Sequence, residues 1–218
     1  MRFDIITIFP QMFACYLDES ILKRAREKGL LEFGVHNLRD YTTDKHKTVD
    51  DTPYGGGPGM VLKIEPIVKA VASVCASKTE NKKFKTRTII LSAVGKQFDV
   101  AMAKKLSRCD QLILICGRYE GVDARVKKIL RAEEVSVGPY VLTGGELPAT
   151  IILDAVSRYI PGVLGNDDSL EDERYGVGVP TYTRPDVFEW QGKRYRVPKV
   201  LLSGDHKKIE NWRKESAS

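Results

Sequence analysis

The stretch DDTPYGGGPGM (residues 50–60) puts four glycines, Gly55, Gly56, Gly57 and Gly59, and two prolines into eleven positions. Glycine lets a backbone approach a ligand closely or turn with positive φ, and proline fixes φ, so the mixture reads as a shaped loop at a ligand. The familiar phosphate signatures do not fit it. A Walker loop needs G-x-x-x-x-G-K-[ST], and a dinucleotide fingerprint needs G-x-G-x-x-G between a strand and a helix; YGGGPGM has neither spacing. An NTPase or a nicotinamide enzyme is therefore disfavoured.

Three more glycine-bearing loops follow strand-like runs: SAVGKQ (92–97), GRYEG (117–121) and SVGPYVLTGGEL (136–147). In a parallel sheet such loops share one edge, and ligands of open α/β sheets bind in the crevice outside the carboxyl ends of the strands. Gly117, Gly138, Gly144 and Gly145 leave backbone donors and acceptors there, enough to read an adenine without a phosphate loop. Plain strand-to-helix turns would have the same composition, and the residues alone leave both readings open.

Other reactive side chains are uninformative by spacing. Cys15, Cys75, Cys109 and Cys116 are scattered without a Cys-x-x-Cys pair, so neither zinc nor a disulfide framework is indicated and buried free thiols are expected. His46, in DKHKTVDD, has no companion spacing with His36 or His206 and reads as a loop residue or an RNA contact. The acidic run NDDSLEDE (166–173) reads on its residues as a solvated linker.

The 35 Lys and Arg against 29 Asp and Glu leave the 218-residue chain at +6, which favours a polyanionic partner. From Lys193 to Lys214 there are eight basic residues and two acidic ones, with Tyr195 and Trp212 interleaved. A surface that holds phosphates and stacks bases has this composition, as does a solvated helix face. With 42% hydrophobic residues and no apolar run near the roughly 18 residues of a membrane helix, a soluble protein is expected. Its amino end, RFDIITIF, reads as a strand stopped by Pro10 and not as a signal peptide, so a cytoplasmic location without membrane attachment is expected.

The elements that must carry these loops alternate. Strands are predicted at 2–9, 30–38, 87–92, 111–116 and 134–137, and helices at 13–29, 66–77, 98–107, 122–131, 147–159 and 205–215. The first helix has Phe13, Leu17, Ile21 and Ala25 at helical spacing. This pattern gives an α/β protein with a mostly parallel sheet and helices on both faces. Domain limits fall at 1–160, with a linker at 161–178 and a small C-terminal region at 179–218.

Seven blocks stand in order along the chain: FP.MF, VDD.PYGGGPGM, L.LICGRYEG.D.RV, SVGPYVLTGGELPA, D.VSR.IPGVLGN, YTRP and VP.VLLSGDH..I..WR. Together, from Phe9 to Arg213, they resemble the bacterial tRNA (guanine-N1)-methyltransferases of the SPOUT class. The resemblance implies S-adenosyl-L-methionine as methyl donor and, as acceptor, the guanosine immediately 3′ of a tRNA anticodon. It also implies a homodimer with active sites at the subunit interface and a C-terminal trefoil knot around the cofactor, against the usual rule that chains do not thread loops. The small, mainly helical C-terminal domain would bind tRNA; family members commonly continue past the closing WR, so this domain is read as truncated.

Residue by residue, the resemblance points to Leu91, Ser92, Gly117, Glu120, Val137, Gly138, Pro139, Tyr140, Val141, Leu142, Gly144 and Gly145 for the donor. Glu120 would face either the cationic methionine moiety or a magnesium ion. Asp50, Gly59 and His46 would meet the substrate. Guanine N1 carries a proton, so its methylation needs a general base and a donor for the charge moving toward O6. The family's base falls in LEDERY, which departs from the usual pattern: matching a Glu-Asp pair gives Asp172, the preferred assignment, and a gapless alignment from Ser169 gives Glu173. Arg158 corresponds to the arginine that positions the guanine. The competing readings are an RNA-binding module without catalysis, which would bind tRNA in a salt-sensitive way and no donor, and a Rossmann-class enzyme binding NAD or ATP.

Overall fold

The sheet is built by apolar strands that send successive side chains to opposite faces. Its strands are β1 (Arg2–Thr7), β2 (Glu32–Asn37), β5 (Thr86–Gln97), β6 (Gln111–Cys116) and β7 (Glu133–Ser136); β3 (Asp50–Asp51) and β4 (Val61–Leu62) form a separate two-residue ladder. The order is β2-β1-β6-β5-β7, and every pair is parallel. The computed structural model describes residues 1–76, 85–165, 170 and 178–216. It divides into two compact units, Met1–Gly165 and Asn166–Ser218, a division that falls within the stretch read as a linker.

Among the described residues six α-helices cover the sheet: α1 (Ala14–Leu17), α2 (Ser20–Glu27), α3 (Ile64–Ala76), α4 (Val100–Leu106), α5 (Arg125–Leu130) and α6 (Glu146–Ser157). Phe3, Ile5, Leu112 and Leu114 pack on one side with Leu22, Leu106, Ile152 and Val156 of α2, α4 and α6. Ile6, Ile113 and Ile115 pack on the other with Ile67, Val71 and Val126 of α3 and α5. Helices on both faces are what all-parallel strands require, because both of their faces are apolar.

Three local expectations need correction. The predicted helix 13–29 is broken at Asp18–Glu19, where Glu19 is extended and Ser20 has φ +52°, which interrupts the i to i−4 ladder. The break shifts the helical phase by one residue, so Leu22 is buried and Ile21 is 40% exposed. The strand predicted at 87–92 runs on to Gln97, with a register break after Leu91. Among the four thiols, Cys109 and Cys116 are buried, Cys75 is half-buried and Cys15 is exposed.

In the C-terminal unit, Asp205 caps α7 (His206–Glu215) by accepting from the Lys208 N–H. The unit also holds an antiparallel hairpin of β8 (Val187–Trp190) and β9 (Lys193–Arg196) that a mainly helical expectation does not contain. Each strand is only four residues long and no residue in either is buried, so the usual apolar strand signal is weak. Trp212 packs at a tilt on Tyr182, with ring centroids 6.3 Å apart.

Asp4 is a fully buried carboxylate in β1, bonded by Arg2 (2.8 and 2.9 Å), by Gln111 (2.7 Å) and by His36 (2.8 Å). Burial alone would raise its pKa, but the bonds from His36, Arg2 and Gln111 outweigh it and hold the group at about 2. A depressed carboxyl stabilises the fold above its unfolded pKa, and that contribution is lost as pH falls through the folded value. The fold should therefore lose about 2 kcal/mol between pH 4 and 2 from this group, and chemical denaturation of Asp4→Asn should lack that share of the acid dependence.

Candidate active site

Where the carboxyl ends of β5, β6 and β7 meet, three loops enclose a cavity of about 390 Å³. It exists because β5 leaves the sheet: Leu91 and Lys96 both stand opposite Val135, and residues 92–95 between them loop outward. The loop after β6 forms the second wall and the segment after β7 the third. Because β7 lies at the sheet edge beyond β5 while α6 packs on α4 and β6, residues 137–145 must cross the end of β5 to reach the helix.

That crossing is drawn tight at Gly145, whose N–H donates to the Gly117 carbonyl at 2.8 Å. A Cβ there would lie 2.6 Å from the Cys116 Cα and 2.8 Å from the Gly117 N, atoms of the backbone that cannot give way. The buried Cys116 thiol beside this contact has its pKa pushed up by desolvation and then by the Glu146 charge, so it is a packing group and no nucleophile.

The next residue, Glu146, is 2% exposed and opens α6. Its carboxylate accepts from the Arg118 Nε at 2.8 Å and from the Thr7 hydroxyl at 2.7 Å. Arg118 also donates to the Thr143 carbonyl at 3.2 Å and lies over the Phe9 ring at 4.7 Å. One buried ion pair thus ties the end of β1, the loop after β6 and the start of α6 together. Sequence reasoning missed this trio. Glu146 is legible as a first-turn acid, but nothing in the sequence pairs it with residues 28 and 139 positions away.

The glycine stretch reaches the same cavity from outside. The β3–β4 ladder closes residues 52–60 into a loop, and β4 is stitched to the second wall by Leu62 N–H to Gly121 O (2.9 Å) and Glu120 N–H to Met60 O (3.0 Å). Gly59, at φ +86°, lies against the Glu120 side chain, where a Cβ would come within 2.5 Å of its carboxylate oxygen. Gly55, Gly56 and Gly57 face open space and Tyr54 is fully exposed.

Of the residues named for a donor, Leu91, Ser92, Gly117, Glu120, Val137, Tyr140, Val141, Leu142, Gly144 and Gly145 line this cavity; Gly138 and Pro139 lie in the third wall without lining it. Gly138 is pinned by its N–H to the Ser136 hydroxyl, 3.3 Å, and by the hydroxyl's own bond to the Gly138 carbonyl, 2.9 Å. Asp50 is held in β3, and His46 is exposed in the preceding loop; neither lines the cavity. Arg158 caps the far end of α6 and is half-buried. It stands thirteen positions after Gly145, about 20 Å along a helix, and does not line its own chain's cavity. Asp172 and Glu173 lie outside the described residues.

Glu120, Asp123 and Glu134 give the cavity acidic walls, with Glu134 paired to Lys127 at 2.5 Å. The hydrogen bonds of Arg125 hold Asp123 below the usual carboxylate range. Among the described residues no group of three His, Cys, Asp or Glu is placed to hold a metal ion.

A parallel α/β sheet with a backbone-lined cavity at the carboxyl edge of its strands defines a class of proteins that bind nucleotide-like ligands at this edge. Comparison with known proteins narrows the class. The family model described as tRNA (Guanine-1)-methyltransferase TrmD matches residues 1–218, and the chain belongs to that family. A tRNA (guanine-N(1)-)-methyltransferase of Thermomicrobium roseum is 53% identical over 220 residues, covering 100% of this chain and 79% of its own length. The enzyme of the same name from Dictyoglomus turgidum is 54% identical, covering 100% and 85%, and that of Geobacter sp. strain M21 is 48% identical, covering 99% and 84%.

Proposed function

We propose that this chain transfers a methyl group from S-adenosyl-L-methionine to N1 of the guanosine immediately 3′ of a tRNA anticodon. The observation that carries the reading is the cavity itself, which gathers at one sheet edge the loops that the family blocks contribute. The donor's sulfonium supplies an electrophilic methyl group. The cavity fits such a group: about 390 Å³, with glycine backbone at Gly117, Gly144 and Gly145 for an adenosine and the Glu120 carboxylate for a cation. Labelled methyl transfer to tRNA carrying that guanosine tests the proposal; transfer that survives replacement of the base, or no transfer at all, would sink it.

The work left to the chain is alignment and proton removal. Asp172 takes the N1 proton and Arg158 donates to O6, where negative charge gathers. Asp50 and Gly59 stand on the substrate side, near the outer wall, and His46 is exposed for an RNA contact. Gly145→Ala, with its Cβ driven into the Cys116 backbone, should weaken donor binding by more than about tenfold, measured by calorimetry with the demethylated product.

A second copy of the chain completes the reading. Arg158 ends a helix that starts at its own cavity, which favours a guanine held between subunits. Met12, Tyr16, Leu147 and Ile151 expose 51%, 45%, 55% and 37% of their surface, and Tyr16 meets Asp154 one turn further along α6, so these apolar groups form one patch. Ile151→Lys should convert a dimer to monomers in sedimentation velocity; an unchanged dimer would place the interface elsewhere. The crossing of residues 137–145 is read as a trefoil knot, supported by the backbone approach at Gly95, whose Cβ would lie 2.4 Å from the Val135 N. A crystal structure tracing that segment outside the 92–97 loop would overturn it. A tRNA substrate supports a cytoplasmic site of action; no described helix is long and apolar enough to cross a membrane.

A further inference from the structure

An isolated two-stranded sheet is marginal in water, and the β8–β9 hairpin nevertheless turns large aromatic groups outward. Gln191 and Gly192 both have positive φ, 49° and 75°, the turn that matches the twist of paired strands. Register is thus set by the turn, without help from an apolar core. Phe188 stands opposite Tyr195 and Trp190 opposite Lys193, so these four side chains share one face. The aromatic three are 54%, 55% and 59% exposed for Phe188, Tyr195 and Trp190. The other face is spent on the Glu189–Arg194 ion pair, 2.5 Å, and on Val187 opposite Arg196. The cavity of the same unit, about 530 Å³ around Tyr182, Leu201, Ile209 and Trp212, uses none of the three.

We infer that the Phe188, Trp190 and Tyr195 face is a stacking platform for unpaired nucleotides of the RNA substrate, with Lys193 at a neighbouring phosphate. This rests on the reading of tRNA as substrate. Every base has a π face, so exposed rings bind single strands without regard to sequence. The charge argues for RNA over a protein partner: the face carries Lys193 and no aliphatic or acidic group, and the opposite face of the same ribbon adds Arg194 and Arg196 against the single acid Glu189. A polyanion whose bases are splayed out meets both properties at once.

The chain has two tryptophans, so Trp212→Phe leaves Trp190 as the sole reporter. Its emission should fall by about half or more on saturation with tRNA or with single-stranded oligouridylate, and change little with duplex RNA of equal length. In a chain with both tryptophans, Trp190→Ala combined with Tyr195→Ala should raise the KM for tRNA about tenfold or more and leave kcat within about twofold, with Trp190→Phe restoring KM. Unchanged emission at saturating tRNA in an enzyme that methylates it, equal quenching by duplex, or an unchanged KM in the double variant would each overturn the platform. So would a Trp190 that acrylamide cannot reach in the free protein, which would mean that protein covers the face. Failure of the wild type to methylate tRNA would instead strike the proposed function, while oligouridylate quenching would still report on the platform.

Discussion

Asp172→Asn should lower the single-turnover rate of methyl transfer by at least about 100-fold, the usual contribution of a positioned general base, while donor and tRNA affinities stay within about twofold. The guanine N1 proton has to leave before or as the methyl arrives, and an amide cannot accept it. Glu173→Gln should cost no more than about threefold. The two variants separate the alternative alignments of LEDERY. A fully active Asp172→Asn enzyme, with Glu173→Gln inactive, would transfer the role to the neighbour. Raising pH should partly rescue Asp172→Asn, since hydroxide can remove a proton that the side chain no longer takes.

The second large effect belongs to Arg118, which no sequence pattern singled out. Arg118→Ala leaves the Glu146 carboxylate, 2% exposed, with the Thr7 hydroxyl as its remaining polar partner among the described contacts. Removing one member of a buried pair strands the other charge, and a loss of about 3 kcal/mol in denaturant unfolding is expected. Donor affinity should drop with it, because Arg118 also holds the Thr143 carbonyl in the third wall. Arg118→Ala combined with Glu146→Gln should recover part of the stability. A single variant as stable as the wild type would show that water solvates Glu146 in place of the arginine.

The sheet and its helices were legible because apolar periodicity reports burial, and burial decides these elements. RFDIIT and QLILIC could scarcely be anything but buried strands, and the loops between strands and helices had to share an edge. What was hidden depends on contacts between distant residues. The excursion of β5 at 92–95 looks in sequence like the end of a strand, and only pairing with Val135 shows that the strand resumes. Ser20 gives no warning of its positive φ, which is why Ile21 was assigned to the interior and Leu22 was not. The β8–β9 hairpin is two four-residue strands with no buried position, its aromatic residues all on one exposed face, so no apolar run marked it. The carboxylate proposed as general base was named by resemblance alone, since an acidic run that holds a base has the same composition as a merely solvated linker.

The bond between Thr7 and Glu146 has a consequence for how the molecule is made. It joins groups 139 residues apart, and the strand that carries Thr7 lies between β2 and β6. At ribosomal rates of about 5–20 residues per second, Thr7 waits roughly 7 to 30 s for its partner to be synthesised. Until Gln111 to Ile115 emerge, one edge of β1 has no strand to pair with. The cavity walls thus close only after most of the sheet unit has been synthesised, and every nascent chain passes through a period in which β1 is only half paired.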